Sequence, residues 1–400
     1  MALVNKNFSD IITFTRASTA TFFNSAGVLT SAATNAPRFD YNPSTLAAQG
    51  LLIEESRTNL LTYSDQLNDV IWVKTDVTVT ANNTTSPDGT VNADLLTEGT
   101  AGTAFTVNST LATVSSGATI SASLFVKRSA TIQWLRFRAS NTAVTNGGNV
   151  WFDIQNGVKG NETNLGSGTN TSGTITLLPN GWYRISVTTT LVAGDVSALG
   201  GVCSASANGS TTRVNNSAYW AWGAQLEAGA FPTSYIPTTT TALTRAADVA
   251  SVNTLSPWFN ASASTIYAEV AVPQLGRAAR PWTVDDGSMS NIVDATISVA
   301  NGFAVEAIAG GVYGGFAAAT GLITANTTQK TAAVFTTSGN ELACLNAGTV
   351  GSNAITLPSV SLTRLLLGRQ DNGVVLCGWL RRLTYYPRAF SAAELQAITT

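Results

Sequence analysis

The sequence predicts an all-β protein: an extended N-terminal arm over residues 1–60, a β-sandwich of jelly-roll type over 61–240, a second sandwich over 241–400, and a short closing helix. Three observations predict it. Short segments alternate apolar and polar residues with period two, the pattern of a strand with one buried face. Gly, Asn and Ser turns separate these segments at regular spacing, as in sandwiches. A helical signature stands only at the end of the chain.

In the first sixty residues, Asn24, Gly27, Pro37, Pro43 and Gly50 interrupt any long periodic element. That leaves an arm with a few short strands. From 61 to 240 the strand pattern is strongest at Ile120 to Val126, Ile132 to Arg138, Val150 to Gln155 and Trp182 to Thr188. A linker follows with Pro232, Pro237 and four threonines, Thr238 to Thr241, a composition that resists helix and favours extended backbone. The pattern resumes at Thr265 to Val272, Ile292 to Val299, Thr331 to Thr336, Thr363 to Leu367 and Leu380 to Tyr386. Ser391-Ala392-Ala393-Glu394 spells a capping box, in which the Ser hydroxyl and Glu carboxylate satisfy backbone amides of the first turn. Leu395, Ala397 and Ile398 give that helix an apolar side.

Composition narrows the function. Of 400 residues, 11% are charged and 44% hydrophobic, so a core is available although charge is far below the roughly 25% of ordinary domains. A net charge of −2 gives no electrostatic reason to bind nucleic acid or anionic membrane. There is no His, which excludes Ser-His-Asp and Cys-His nucleophiles and every His-ligated metal. Cys203, Cys344 and Cys377 stand far apart, neither a disulfide framework nor a metal cluster, and fit assembly in a reducing cytosol. Met1 to Lys6 lacks the start of a signal peptide, and no apolar run approaches the roughly 20 residues that span a bilayer. The expectation is synthesis in a cytoplasm without a leader and no membrane insertion.

Three motifs carry a family likeness. Thr13-Phe14-Thr15-Arg16-Ala17-Ser18-Thr19-Ala20-Thr21, Asn35-Ala36-Pro37-Arg38-Phe39-Asp40-Tyr41 and the run from Gly50 to Leu61 resemble the N-terminal region of bacteriophage and prophage virion proteins, described as tail fibres, head spikes or head fibres. Trp220 to Gly229 with Pro232 to Pro237 resembles the closing strand of the carbohydrate-binding-module-like jelly roll of such proteins. Gly378 to Ser391 is similar to the last strand and turn of laminin-G or concanavalin-A-like sandwiches. The resemblance implies a non-enzymatic virion surface protein that displays lectin-like domains to host-surface polysaccharide. It implies other capsid or tail proteins as partners, and a homo-oligomer such as a trimer suits a fibre. It carries over no catalytic residue and no cofactor. Head or tail is left open, as is the glycan.

Candidate site residues follow from strand parity. Trp134, Arg136 and Arg138 share one face of their strand, Trp151 and Asp153 of the next, Trp182 and Arg184 of a third, each opposite an aliphatic face. Indoles stack on the C–H faces of sugar rings while charged groups bind hydroxyls, so these seven residues are the expected carbohydrate site. The competing reading is an interface with a sister subunit, the arm or a loop, since tryptophan is enriched there too. Trp220, Trp222 and Leu226 share a parity and are read as structural core. Arg16, Arg38, Asp40, Glu54 and Glu55, the densest charge in the arm, are the candidates for virion attachment, against pairing within the chain.

Asp285-Asp286 is a Ca²⁺ candidate at a sandwich rim, but no D-x-D-x-D loop accompanies it and Asp286-Gly287 also spells a turn, the favoured reading. A glycosidase needs two facing carboxylates roughly 5 to 9.5 Å apart. Glu269 and Asp153 each stand alone on their strands, so no local pair argues for catalysis. Two alternatives to an adhesin remain: a decoration protein without host contact, and a polysaccharide depolymerase.

Overall fold

The structure, a computed structural model, describes residues 7–100, 102–109, 111–129, 132–337 and 340–400. It is all-β, with paired sheets forming sandwiches and the short helix Ala392–Ile398 closing the chain. One further α-helical turn, Phe8–Ile11, lies near the start, and a 3-10 turn spans Pro179–Gly181. Among the described residues no helix is long and apolar enough to cross a membrane.

The central sandwich is built as alternation dictates. In Trp182–Thr190, Ile185 and Val187 turn inward while Arg184, Ser186 and Thr188 line the opposite face. Its sheet runs in the order Thr169–Leu177, Trp182–Thr190, Thr119–Arg128, Ala218–Ala228, Val91–Glu98, Val77–Thr85. The facing sheet contains Val158–Leu165, Gly147–Asp153, Trp134–Ser140, Ser197–Ala205, Val107–Asn108 and Val73–Lys74. Leu96, Ile120, Leu124, Leu135, Phe137, Phe152, Ile185 and Leu226 belong to the core of this sandwich.

The C-terminal sandwich repeats the plan. Arg364–Leu367, Ala279–Asp285, Ile292–Ile297, Phe303–Ala309 and Val312–Ala318 form one sheet with Val249–Val252; Asn340–Leu345, Gln329–Thr336, Ala263–Ala271 and Gly378–Tyr386 form most of the other. Trp282, Ile266, Val305 and Phe335 are among the residues of its core. The closing helix begins at Ser391, whose hydroxyl accepts from the Glu394 amide as the capping box requires, and Leu395 buries against a cluster with Tyr267 and Phe390.

The N-terminal segment does contain short strands, but it does not stand apart as an arm. Thr13–Thr15 pairs with Val249–Val252 at the edge of one C-terminal sheet, while Ala48–Ile53 joins Gly378–Tyr386 and pairs with Phe39–Tyr41 at the edge of the other. Ala20–Phe23 and Leu29–Ala32 make a hairpin, and Arg57–Asn59 pairs with Leu243–Arg245 from the linker. The segment therefore completes the C-terminal sandwich and reaches the central one.

This placement corrects the attachment reading of the charged residues. Arg16, Arg38, Asp40 and Glu54 are buried, and Glu55 is half-buried against Arg57 and Arg277. Arg16 meets Asp248 at 3.1 Å, Arg38 meets Glu54 at 2.7 Å and Asp248 at 2.5 Å, and Arg245 meets Glu54 at 2.8 Å. Edge strands carry these groups into the seam, where a bare charge is costly and a partner obligatory. They tie the segment to the linker, and Arg16, Arg38, Asp40 and Glu54 spend their charge within the chain.

Candidate functional site

The expected open indole face is not formed. Trp134 and Trp151 lie on one sheet of the central sandwich and Trp182 on the other. Trp151 is 3% exposed and donates its indole N–H to the Ser210 carbonyl at 2.7 Å, beneath the loop after Ser197–Ala205. Trp134 is half-buried. Arg136 and Arg138 cover the Phe105 ring, at 4.2 and 3.9 Å from its centroid, and donate to the Thr103 carbonyl and to Asn108. Asp153 caps the following turn through the Gln155 and Asn156 amides. Loops roof this face, and most of its polar groups bond within the chain.

Trp182 is 2% exposed and packs with Phe125, Leu178, Trp222 and Tyr235 on the outer face of its own sheet. Trp222 and Leu226 are core as expected and Trp220 is half-buried, yet the three do not share one face. Gly223, at φ +63°, sits in a bulge where the register against Thr119–Arg128 shifts, so Trp222 faces the Trp182 cluster and Leu226 the sandwich core.

Of the proposed sugar residues, Arg184 borders a substantial cavity. A cleft of about 550 Å³ lies where the central sandwich, the N-terminal strands, the linker and the C-terminal sandwich meet. Its floor is the polar face that alternation gives the central sheet: Thr174, Thr176, Arg184, Ser186 and Thr188. Hydroxyls there form rungs, Thr174 to Ser186 at 2.6 Å and Ser121 to Thr188 at 2.8 Å. Arg184 lies over Phe125, 5.3 Å from the ring, and donates to Ser123 and to the Thr233 carbonyl.

Phe22, Phe23 and Trp379, all half-buried, supply aromatic walls, and Asn42, Gln49, Gln274 and Asn326 supply amides. Asp40 and Glu54 border the cleft as well. The Asp40 carboxylate accepts from the Phe23 amide at 2.7 Å and from the Trp379 indole at 2.8 Å, and burial pushes it up to about 6. Burial acts in the same sense on Glu54, but Arg245 and Arg38 outweigh it and hold that carboxyl at about 2. Aromatic surface, hydroxyls, amides and a carboxylate in one cleft suit a polyhydroxylated ligand.

These residues were missed because the cleft is assembled from four distant segments. Two signals were present. Thr174, Thr176, Ser186 and Thr188 share the parity of Arg184, and Trp379 opens the last strand on the face opposite Leu380.

The other acidic candidates have protein partners. Arg364 grips Asp285 through two hydrogen bonds of 2.9 and 2.8 Å, and Asp286 accepts from Ser288 and Asn291 within the turn. Glu269 accepts from the Tyr267 hydroxyl at 2.9 Å. Among the described residues no group of three or more acidic or Cys side chains gathers as a metal site.

No protein-family model matches the chain, and no curated protein matches it in sequence. Similar solved structures include a native heptameric SAP-like pentraxin from Limulus polyphemus, 10% identical with a TM-score of 0.30, covering 36% of this chain and 73% of that one. Domains LG4-5 of the mouse laminin alpha1 chain are 8% identical with a TM-score of 0.26, covering 70% and 88%. The LG1-3 region of the laminin alpha2 chain is 10% identical with a TM-score of 0.27, covering 71% and 65%. The sandwich assignment rests on the paired sheets described above.

Proposed function

We propose that this chain is a bacteriophage or phage-derived virion surface protein, a fibre or spike, that binds host-surface carbohydrate reversibly through the interdomain cleft. The virion assignment comes from the N-terminal motif likeness. The binding assignment is carried by the cleft itself, whose half-buried Phe22, Phe23 and Trp379 face a floor of hydroxyls. Aromatic walls take the apolar faces of sugar rings, and Thr, Ser, Asn and Gln groups exchange hydrogen bonds with their hydroxyls. Single-site affinity is then multiplied by the number of copies on the particle.

A depolymerase would need two carboxylates free to act. Glu54 already accepts from Arg38, Arg245 and both the amide and hydroxyl of Ser234, which leaves it a structural ion and favours binding without turnover.

Thr176→Trp tests the cleft, because Thr176 is exposed, borders the cavity and tolerates a large side chain on a strand. The variant should keep its melting temperature and lose adsorption to host cells and to a panel of host-derived polysaccharides. Retained binding would move the site elsewhere. Silence of the unaltered protein across the panel would favour a decoration protein, and reducing ends released from host polysaccharide would favour a depolymerase.

A further inference from the structure

A second cavity, of about 250 Å³, opens on the C-terminal sandwich and shares no lining residue with the interdomain cleft. It is built by parity. In Ile292–Ile297, Val293, Ala295 and Ile297 enter the core, which leaves Asp294 on the outer face opposite Glu306 of the neighbouring strand. Arg280 donates from each of its three guanidinium nitrogens here: Nε to Asp294 Oδ2 at 3.0 Å, Nη1 to Thr296, and Nη2 to Glu306 Oε1 at 2.7 Å.

Three acceptor oxygens also border the cavity. Asp294 is 1% exposed and Gln370 2%, yet among the described residues Asp294 Oδ1 and Gln370 Oε1 have no hydrogen-bond donor, Asp294 having the Glu306 carboxyl beside it. Glu306 Oε2 has only a long contact to the Tyr313 hydroxyl, 3.5 Å. Acceptor oxygens from two acidic side chains around a single guanidinium disfavour an anion. A divalent cation wants six to eight oxygens and would sit beside Arg280. An ammonium has three donors and no acceptor, the complement of these three oxygens. Ile308, Met289 and the Tyr313 ring offer apolar surface for the body that carries it.

We propose that this cavity binds a compact protonated primary amine, of the kind an amino sugar carries, with its ammonium donating to Asp294, Gln370 and Glu306. Burial, opposed by Arg280 and reinforced by Glu306, keeps the Asp294 carboxyl well above the usual carboxylate range. The charged and titratable groups facing it are Arg280, Glu306 and Tyr313, while Asp371 of the adjoining loop is held by Arg364.

Calorimetric titration of the full chain with glucosamine, glucose and N-acetylglucosamine tests this. Glucosamine should bind, and the two sugars without a free amine at least about tenfold more weakly. Asp294→Asn should weaken glucosamine by about tenfold or more. Should that variant fail to fold, Met289→Trp, in an exposed loop, fills the cavity without touching the ion cluster and should abolish binding. Equal affinity for the three sugars, no binding at millimolar concentration, or undiminished binding by a folded variant would overturn the proposal. Each reading is independent of Thr176→Trp, so failure here leaves the cleft assignment untouched.

Discussion

The Trp379 indole donates to the Asp40 carboxylate at 2.8 Å, joining residues 339 positions apart and fastening the first strands of the chain to its last. The contact closes one wall of the interdomain cleft. Burial raises the Asp40 carboxyl from 3.8 to about 6, although the Trp379 and Phe23 hydrogen bonds pull the other way. A folded-state pKa above the unfolded one stabilises most fully below 3.8, and that contribution is lost as pH rises through about 6. The shift corresponds to about 3 kcal/mol. Asp40→Asn should therefore flatten the pH dependence of stability across this window, as read by denaturant unfolding at a series of pH values. An unchanged slope would locate the titration elsewhere.

Glu54 borders the same cleft and tilts the opposite way. Burial works against its charge, but Arg245 and Arg38 hold its carboxyl at about 2, below the ordinary 4.5. Its contribution is present above 4.5 and lost as pH falls through about 2, the acid limb of the stability curve. Glu54→Gln leaves three buried guanidinium groups, Arg16, Arg38 and Arg245, with Asp248 as the remaining carboxylate partner of that network. A loss of about 3–5 kcal/mol at neutral pH is expected, measured by denaturant midpoint. Most of it should vanish near pH 2, where the unaltered residue is half protonated.

Period-two alternation made the strands legible, and within strands free of a bulge it assigned faces correctly, as Ile185 and Val187 against Arg184 show. Alternation is a local quantity, however. It gives a residue's face relative to its own strand but says nothing about which sheet the strand joins. Trp151 and Trp182 have the same local pattern and ended on different sheets. Nor does alternation reveal what covers a face: the Ser210 carbonyl that receives the Trp151 indole lies 59 residues away. A cleft that needs residues 22, 40, 176, 184 and 379 together is invisible to any window of sequence.

The bulge at Gly223 is the point where parity reasoning failed, and it is testable. The residue adopts φ +63°, and a Cβ there would stand 2.8 Å from Phe125 Cδ2. Gly223→Ala therefore meets both a left-handed backbone and a ring already packed against Trp222 and Tyr235. It should cost about 1–3 kcal/mol. Urea unfolding measures this directly, and a neutral or stabilising effect would mean that the strand can rebuild its register without the bulge.

Trp182, Trp222 and Trp134 separate core from surface in one experiment. Trp182 and Trp222 sit in the aromatic cluster with Phe125 and Tyr235, the Trp222 and Tyr235 rings 4.8 Å apart between centroids. Truncation of either to Ala removes a buried ring that the surrounding strands cannot collapse to replace, at a cost of about 3–5 kcal/mol. Trp134 is half-buried and belongs to no core cluster, so Trp134→Ala should cost nearer 1 kcal/mol. Any adsorption defect in the first two variants should then track the unfolded fraction and disappear at temperatures where they remain folded. Equal, small shifts in midpoint at all three positions would put Trp182 at the surface and reopen the indole face as a sugar site.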